Sequence, residues 1–257
     1  MIAAWLDLPS AGVFAVLIGL YGAVTGAIAW ASFSRPLGHA VQRLDGVVPP
    51  FFTAIAILFA LMTGFLANDI GDRNRHAARA VQTETAELRN VFTLSVASAS
   101  DMREIRDAWS AYVKSVIADD WAAMESGRPS ATAGAAFDAL LREVSDPNIG
   151  ATAGPAVQSA LLNAAVRVGT ARSERVALAS DRTNDLKWMM VLLLGVMTLV
   201  AIGVVHLQRR NAQLAALTIF ATSTVIALGL IGLQEHPFAG PLSISPAPLQ
   251  ELLKLNG

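Results

Sequence analysis

Four long apolar stretches carry no Asp, Glu, Lys or Arg: residues 8–34, 46–68, 188–208 and 211–234. A bilayer's hydrocarbon core is about 30 Å thick, so a spanning helix needs roughly 20 apolar residues. A charge at the bilayer centre costs about 2.5–3.5 kcal/mol on insertion scales. The charge-free lengths therefore predict four membrane spans, because helices buried in soluble cores usually show runs of only about 10–14. The opening segment, Met1 to Ser10, lacks a basic region and carries Asp7. The run after it is too long for the apolar part of a signal peptide, so it reads as a true span.

Between the second and third spans the pattern changes. Asp72 to Glu125 contains neither Gly nor Pro. Span two is therefore predicted to leave the membrane as one continuous helix, with a break near residues 95–100 and Ser100 as the next N-cap. Residues 126–134 read as a loop, 135–144 as a short helix, and 146–150 as a turn. A last long helix, about 155–185, starts at Pro155 and is expected to feed directly into span three. Leu161, Leu162, Ala165, Val168 and Ala171/Arg172 recur at helical spacing, so one face of this helix can pack on the first long one. A link at 35–45 joins spans one and two, Pro49 and Pro50 suit the first turn of span two, and Arg209–Arg210 marks a tight turn between spans three and four. The fold class expected is all-α: four transmembrane helices in two pairs flanking a soluble helical domain, with long helices continuous with spans two and three. The corresponding segments are 1–68 (spans one and two), 69–187 (soluble helical domain), 188–234 (spans three and four) and 235–257 (an irregular C-terminal tail).

Charge sharpens this division. The chain is 54% hydrophobic and 15% charged, against about 25% charged in average soluble domains. Residues 69–187 hold 30 of the 39 charged side chains, 14 basic and 16 acidic. That is a mixed, solvated surface, and with a net charge of −1 it points to no nucleic-acid partner. Cysteine is absent, which excludes disulfides and thiolate metal ligation. The short links hold Arg35, Arg43, Arg209 and Arg210, and the membrane-proximal ends of the middle domain hold seven basic residues, so positive-inside counting leaves the orientation open.

Candidate chemistry is sparse. His39, His76, His206 and His236 are scattered, and no metalloprotease, phosphate-loop or nucleophile-elbow motif is present. No metal, cofactor or enzymatic activity is expected. In span one, Gly19, Gly22 and Gly26 form a small-residue face that lets helix backbones approach closely in lipid, so it is expected to lie against another helix. Span four carries Thr218, Thr222, Ser223 and Thr224, whose hydroxyls can bond back along the helix or across to a neighbour.

Three segments resemble a family of bacterial and plant membrane proteins described as bestrophin-like. Glu84 stands in Val81-Gln82-Thr83-Glu84-Thr85-Ala86-Glu87-Leu88, where the family has an acidic residue followed by small ones. Asp120-Trp121-Ala122-Ala123-Met124-Glu125-Ser126-Gly127 is similar to an acidic-Trp-Pro-x-Met-x-x-Gly signature, with Ala122 in place of the Pro. His236-Pro237-Phe238-Ala239-Gly240, then Ser243-Ile244-Ser245-Pro246, resembles the family's closing elements. Glu84, Trp121, Met124, Gly127, Pro237, Phe238 and Gly240 are the motif residues.

Bestrophins are oligomeric anion channels whose second span lines the pore with an apolar neck. The resemblance thus implies a homo-oligomeric ion channel, such as a pentamer, in the lipid of a bacterial inner membrane, with an anion preference. It also implies that the middle domain and both termini face the cytosol. Ile57, Leu61 and Phe65 recur at i, i+4 and i+8 and would form stacked apolar rings that gate by dewetting. Asn68, Asp69 and Arg73 would line the mouth, where Asp69 would favour cations, Arg73 would favour anions, or the two would pair across one turn. Two alternatives stand beside this reading: a cation-selective channel, and a membrane sensor or scaffold acting through a separate partner, since two spans flanking a helical domain also resemble chemoreceptor sensing modules.

Overall fold

The computed structural model describes residues 2–34, 38–43, 49–98 and 100–256. Among these the chain is all-helical, with eleven α-helices. In chain order they are α1 (Ser10–Phe33), α2 (Gly38–Gln42), α3 (Pro49–Ala97), α4 (Arg103–Ser115), α5 (Trp121–Glu125), α6 (Ala131–Val144), α7 (Pro147–Ala153), α8 (Pro155–Ser180), α9 (Asp185–Val205), α10 (Arg210–Gly232) and α11 (Ala247–Leu253). One π-helical turn, Val116–Asp120, joins α4 to α5. Of the link expected at 35–45, residues 35–37 and 44–45 lie outside the described residues. The chain divides into two compact units: residues 1–71 with 182–235, and residues 72–181 with 236–257.

The first unit holds the apolar helices. α1, α9, α10 and the Phe52–Ala97 part of α3, which starts in this unit and continues past Gly71 into the second, are long and apolar enough to cross a membrane. These helices leave many large apolar side chains exposed, among them Ile18, Leu193, Ile219 and Ile226. The interior is built on Leu17 and Tyr21 of α1, Leu66 and Ile70 of α3, Trp188 and Leu199 of α9, and Leu217 and Leu228 of α10. A polar tie runs through it: Gln213 Nε2 donates to Gly203 O (2.6 Å) and Ser32 Oγ (3.1 Å), and Ser32 Oγ donates to Ile28 O (2.8 Å).

The small residues that permit close packing here are not those of span one. A side-chain carbon on Gly195, Gly203 or Gly229 would overlap Tyr21, Ile28 or Phe14 respectively, so α9 and α10 give way to the larger side chains of α1. The same carbon on Gly19, Gly22 or Gly26 would meet nothing within 4 Å. The close approach expected at these three glycines is not made within one chain.

The second unit has a continuous apolar core. Val81, Leu88 and Val91 of α3 meet Ile105, Trp109 and Val113 of α4, Leu140 of α6, Leu161 and Val168 of α8, and Leu249 and Leu252 of α11. Trp109 Nε1 donates to Leu88 O (2.9 Å), which satisfies the one polar atom this ring brings into the core.

Several local expectations change. α3 ends at Ala97 and α4 begins at Arg103, with Met102 rather than Ser100 as the N-cap, and the Asp101 carboxylate accepts from Arg103 N (3.1 Å). Residues 147–153 form a short helix instead of a plain turn, because the Asp146 side chain caps Asn148 N and Pro147 suits the first turn. The tail is not wholly irregular, since Leu249 and Leu252 bury one face of α11. The long helix from Pro155 does not run into span three. It stops at Ser180, and α9 starts afresh at Asp185, with the Asn184 side chain accepting from Leu186 N (2.8 Å) and Glu235 accepting from Thr183 N (2.7 Å). A buried carboxylate and an N-cap thus take the backbone donors that a continuous helix would have bonded internally.

Candidate functional site

The second unit contains a buried ionic cluster. Arg175 of α8, Glu84 of α3 and Asp120 of the π turn are all fully buried. Arg175 Nε donates to Glu84 Oε2 (2.6 Å), and its Nη2 donates to Glu84 Oε1 (3.2 Å) and Asp120 Oδ2 (2.9 Å). Its Nη1 donates to Met124 Sδ (3.0 Å), and the guanidinium carbon stands 5.2 Å from the Trp121 ring centroid. Tyr112 Oη donates to Glu84 Oε1 (2.6 Å). Arg172 grips Asp120 through Nε (3.2 Å) and Nη2 (3.1 Å), and Ser130 N donates to Asp120 Oδ1 (2.9 Å). Two guanidinium groups thus face two carboxylates, so the cluster is neutral, and every nitrogen of the Arg175 guanidinium donates. That is the condition under which buried charge is tolerated.

Local structure explains how one short segment supplies so many of these groups. Asp120 and Trp121 are adjacent, yet both are buried, together with Met124. The π turn places one extra residue in the helix at this point, and Asp120 is its last residue. Gly127 then follows α5 at φ +65°, a left-handed conformation that other residues adopt only with strain. Burial first, and then the Glu84 charge, push the Tyr112 phenol well above its ordinary pKa, so it stays a donor. Burial alone would lower the pKa of Arg175, but Glu84 and then Asp120 outweigh it and hold the guanidinium charged.

The C-terminal motif closes over this cluster. Phe238 stands edge-on to Trp121, with centroids 5.7 Å apart and planes at 88°. Gly240 adopts φ +85°, Ile244 N donates to Pro237 O (2.8 Å), and Trp121 Nε1 donates to Ile244 O (3.3 Å). The motif residues therefore converge: Glu84, Trp121 and Met124 contact Arg175, Phe238 packs on Trp121, and Gly127, Pro237 and Gly240 lie in the turns beside them. Sequence reasoning missed Arg175, Arg172 and Tyr112 as partners. The available signal was Arg175 falling on the apolar stripe of α8, four residues beyond Ala171, where a cation needs buried counter-charges.

With this geometry in view, a comparison with known proteins is decisive. A family model described as the bestrophin-like domain matches residues 18–249. The chain belongs to the bestrophin-like family. Solved structures of a bacterial bestrophin homologue from Klebsiella pneumoniae share the fold. One variant aligns at TM-score 0.70 with 13% identity over 95% of this chain and 94% of that one. A second variant gives 0.71 with 11% identity over 93% and 97%, and a zinc-phased structure gives 0.68 with 10% over 95% of each. No curated protein matches by sequence.

In the first unit, the α3 residues expected to line a pore form an exposed face. Ile57 is 61% exposed, Leu61 46% and Phe65 57%, and Asn68, on the same side by helical spacing, is exposed too. Asp69 pairs with Lys187, and Arg73 is buried in the second unit. The three polar residues expected at a mouth are therefore not presented alike. His206 closes the end of α9 with Nδ1 3.0 Å from Ile202 O, the donor form of that nitrogen completing the helix. Ser223 Oγ donates back to Ile219 O (2.8 Å), and Thr218 and Thr222 face a groove against α1. Among the described residues, no three His, Asp or Glu side chains gather at metal-binding spacing.

Proposed function

We propose that this bestrophin-like protein is a homo-oligomeric ion channel in which α3 lines the pore. The observation that supports the reading is the exposed stripe Ile57, Leu61, Phe65 and Asn68 on a helix long and apolar enough to cross a membrane. Within one chain this stripe is left uncovered. A ring of copies would stack the three apolar side chains into a constriction too dry to pass ions at rest, with Asn68 as the first polar ring beyond it. Lipid could cover the same stripe; family membership favours the axis. The resemblance to bestrophins supports an anion preference. Asp69 is already neutralised by Lys187 and contributes little to it.

The buried cluster gives such a channel a rigid base. Charge-assisted bonds from Arg175 and Arg172 tie α3, α8 and the π turn together, and discrete hydrogen-bonded clusters hold one arrangement better than apolar packing alone. The test is ion flux into liposomes carrying the purified protein. Phe65→Ser wets the constriction and should raise leak severalfold over the native chain, while Leu193→Ser, on an exposed face of α9, should not. Equal flux from all three proteins would remove the channel reading.

A further inference from the structure

α1 and α10 run side by side in the first unit, and between them lies a groove of about 510 Å³ lined by Phe14, Ile18, Gly22, Thr222 and Ile226. Its volume falls within the roughly 300–1,000 Å³ of small-molecule sites. A side-chain carbon at Gly22 would meet no atom within 4 Å, so the glycine keeps the groove open. Ile18 is 59% exposed and Ile226 52%, and both sit on helices apolar enough to cross a membrane. The groove therefore opens toward whatever surrounds these helices.

The end of the helix pair carries positive charge. Arg210 begins α10, and its guanidinium carbon lies 5.9 Å from the ring centroid of Phe33, the last residue of α1. Arg209 and Arg210 are both exposed, and neither is ion-paired to an acid among the described residues. From Arg210 to Thr218, where the groove begins, is eight residues, or about 12 Å of helix, within the roughly 15 Å depth of one leaflet. The two short links together carry Arg35, Arg43, Arg209 and Arg210 against a single Asp45. A second copy of this chain would bring more arginines to this side of the membrane. A phosphodiester would neutralise those already there. Basic sites between membrane helices are a recurrent way of holding anionic lipid headgroups.

We propose that the α1–α10 groove binds one acyl chain of an anionic phospholipid whose headgroup is held by Arg209 and Arg210. The acyl chain fills the space left by Gly22, and the arginine pair selects the charged headgroup over a zwitterionic one.

The test is native mass spectrometry of the purified full chain in detergent, titrated with phosphatidylglycerol or with phosphatidylcholine of the same acyl chains. The native protein should retain phosphatidylglycerol preferentially. Arg209→Gln with Arg210→Gln should weaken phosphatidylglycerol roughly thirtyfold and leave phosphatidylcholine unchanged. Gly22→Leu, which fills open space and spares the fold, should weaken both lipids without altering the mass of the particle. Equal affinity of the native chain for the two lipids would overturn the proposal, as would undiminished phosphatidylglycerol binding by the double variant. A Gly22→Leu particle of changed mass would also overturn it, by assigning the groove to contact between copies.

Discussion

Replacing Arg175 with Met keeps most of the side-chain length and removes every polar bond of the guanidinium. In the native cluster that group makes two bonds to Glu84, one to Asp120 and one to Met124. The two carboxylates do not suffer equally. Asp120 keeps Arg172 and Ser130 N, whereas Glu84 keeps only the neutral Tyr112 hydroxyl in a site without exposure. Removing one partner of a buried pair typically costs about 3–5 kcal/mol, chiefly as the penalty of the stranded charge. At about 2–4 °C per kcal/mol for a domain of this size, Arg175→Met should lower the melting temperature of the second unit by roughly 6–20 °C. The reasoning makes a sharper claim about the pair. Adding Glu84→Gln to Arg175→Met removes the stranded carboxylate, so the double variant should melt higher than Arg175→Met alone. The assay is tryptophan-fluorescence melting in detergent, with Trp109 and Trp121 in the core of this unit as reporters. If the two single losses simply add in the double variant, the cluster is not a coupled unit and the argument fails.

Two further outcomes follow from the same geometry. In a Tyr21→Phe background Tyr112 is the only tyrosine, and its pKa is raised by burial and by Glu84, so tyrosinate absorbance near 295 nm should stay absent well past pH 10. Because the folded value lies above the unfolded one, the stability this phenol contributes is complete below about pH 10 and declines as pH rises toward the folded value; a native-state titration near 10 would contradict the burial. Gly229→Leu should abolish folded yield because the new side chain collides with Phe14, whereas Gly19→Leu should leave the yield of folded chain unchanged, as read by size-exclusion chromatography.

The membrane part was legible because lipid imposes a long, charge-free run that few other environments require. α3 was legible because no Gly or Pro interrupts it beyond Asp72. The break at 181–184 was not, since it depends on Glu235, a residue about fifty positions away that accepts from Thr183 N. Helix α11 was hidden for the same reason: Leu249 and Leu252 are apolar, but only the core of the second unit gives them something to bury against. The motif residues Glu84, Trp121, Met124 and Phe238 could be named from resemblance, yet not joined, because Arg175, which the first three contact, looked like one more surface charge on a mixed helix. The π turn at 116–120, which carries Asp120, has no clear compositional mark. The glycines of α1 were noticed for their spacing, while close packing within the chain depends on Gly195, Gly203 and Gly229, whose role is set by the bulk of the side chains they face.

The claim that α3 lines a central pathway is open to a background-free measurement, because the chain contains no cysteine. A single Phe65→Cys substitution places one thiol per chain on the exposed stripe, and Leu193→Cys places one on an exposed face of α9. The protein is reconstituted in liposomes, treated with a copper–phenanthroline oxidant, and run on a denaturing gel without reductant. If copies meet around an axis at Phe65, the first variant should yield covalent dimers in high proportion and the second should remain monomeric. Monomers only from Phe65→Cys, or equal dimer from both variants, would contradict the pore assignment.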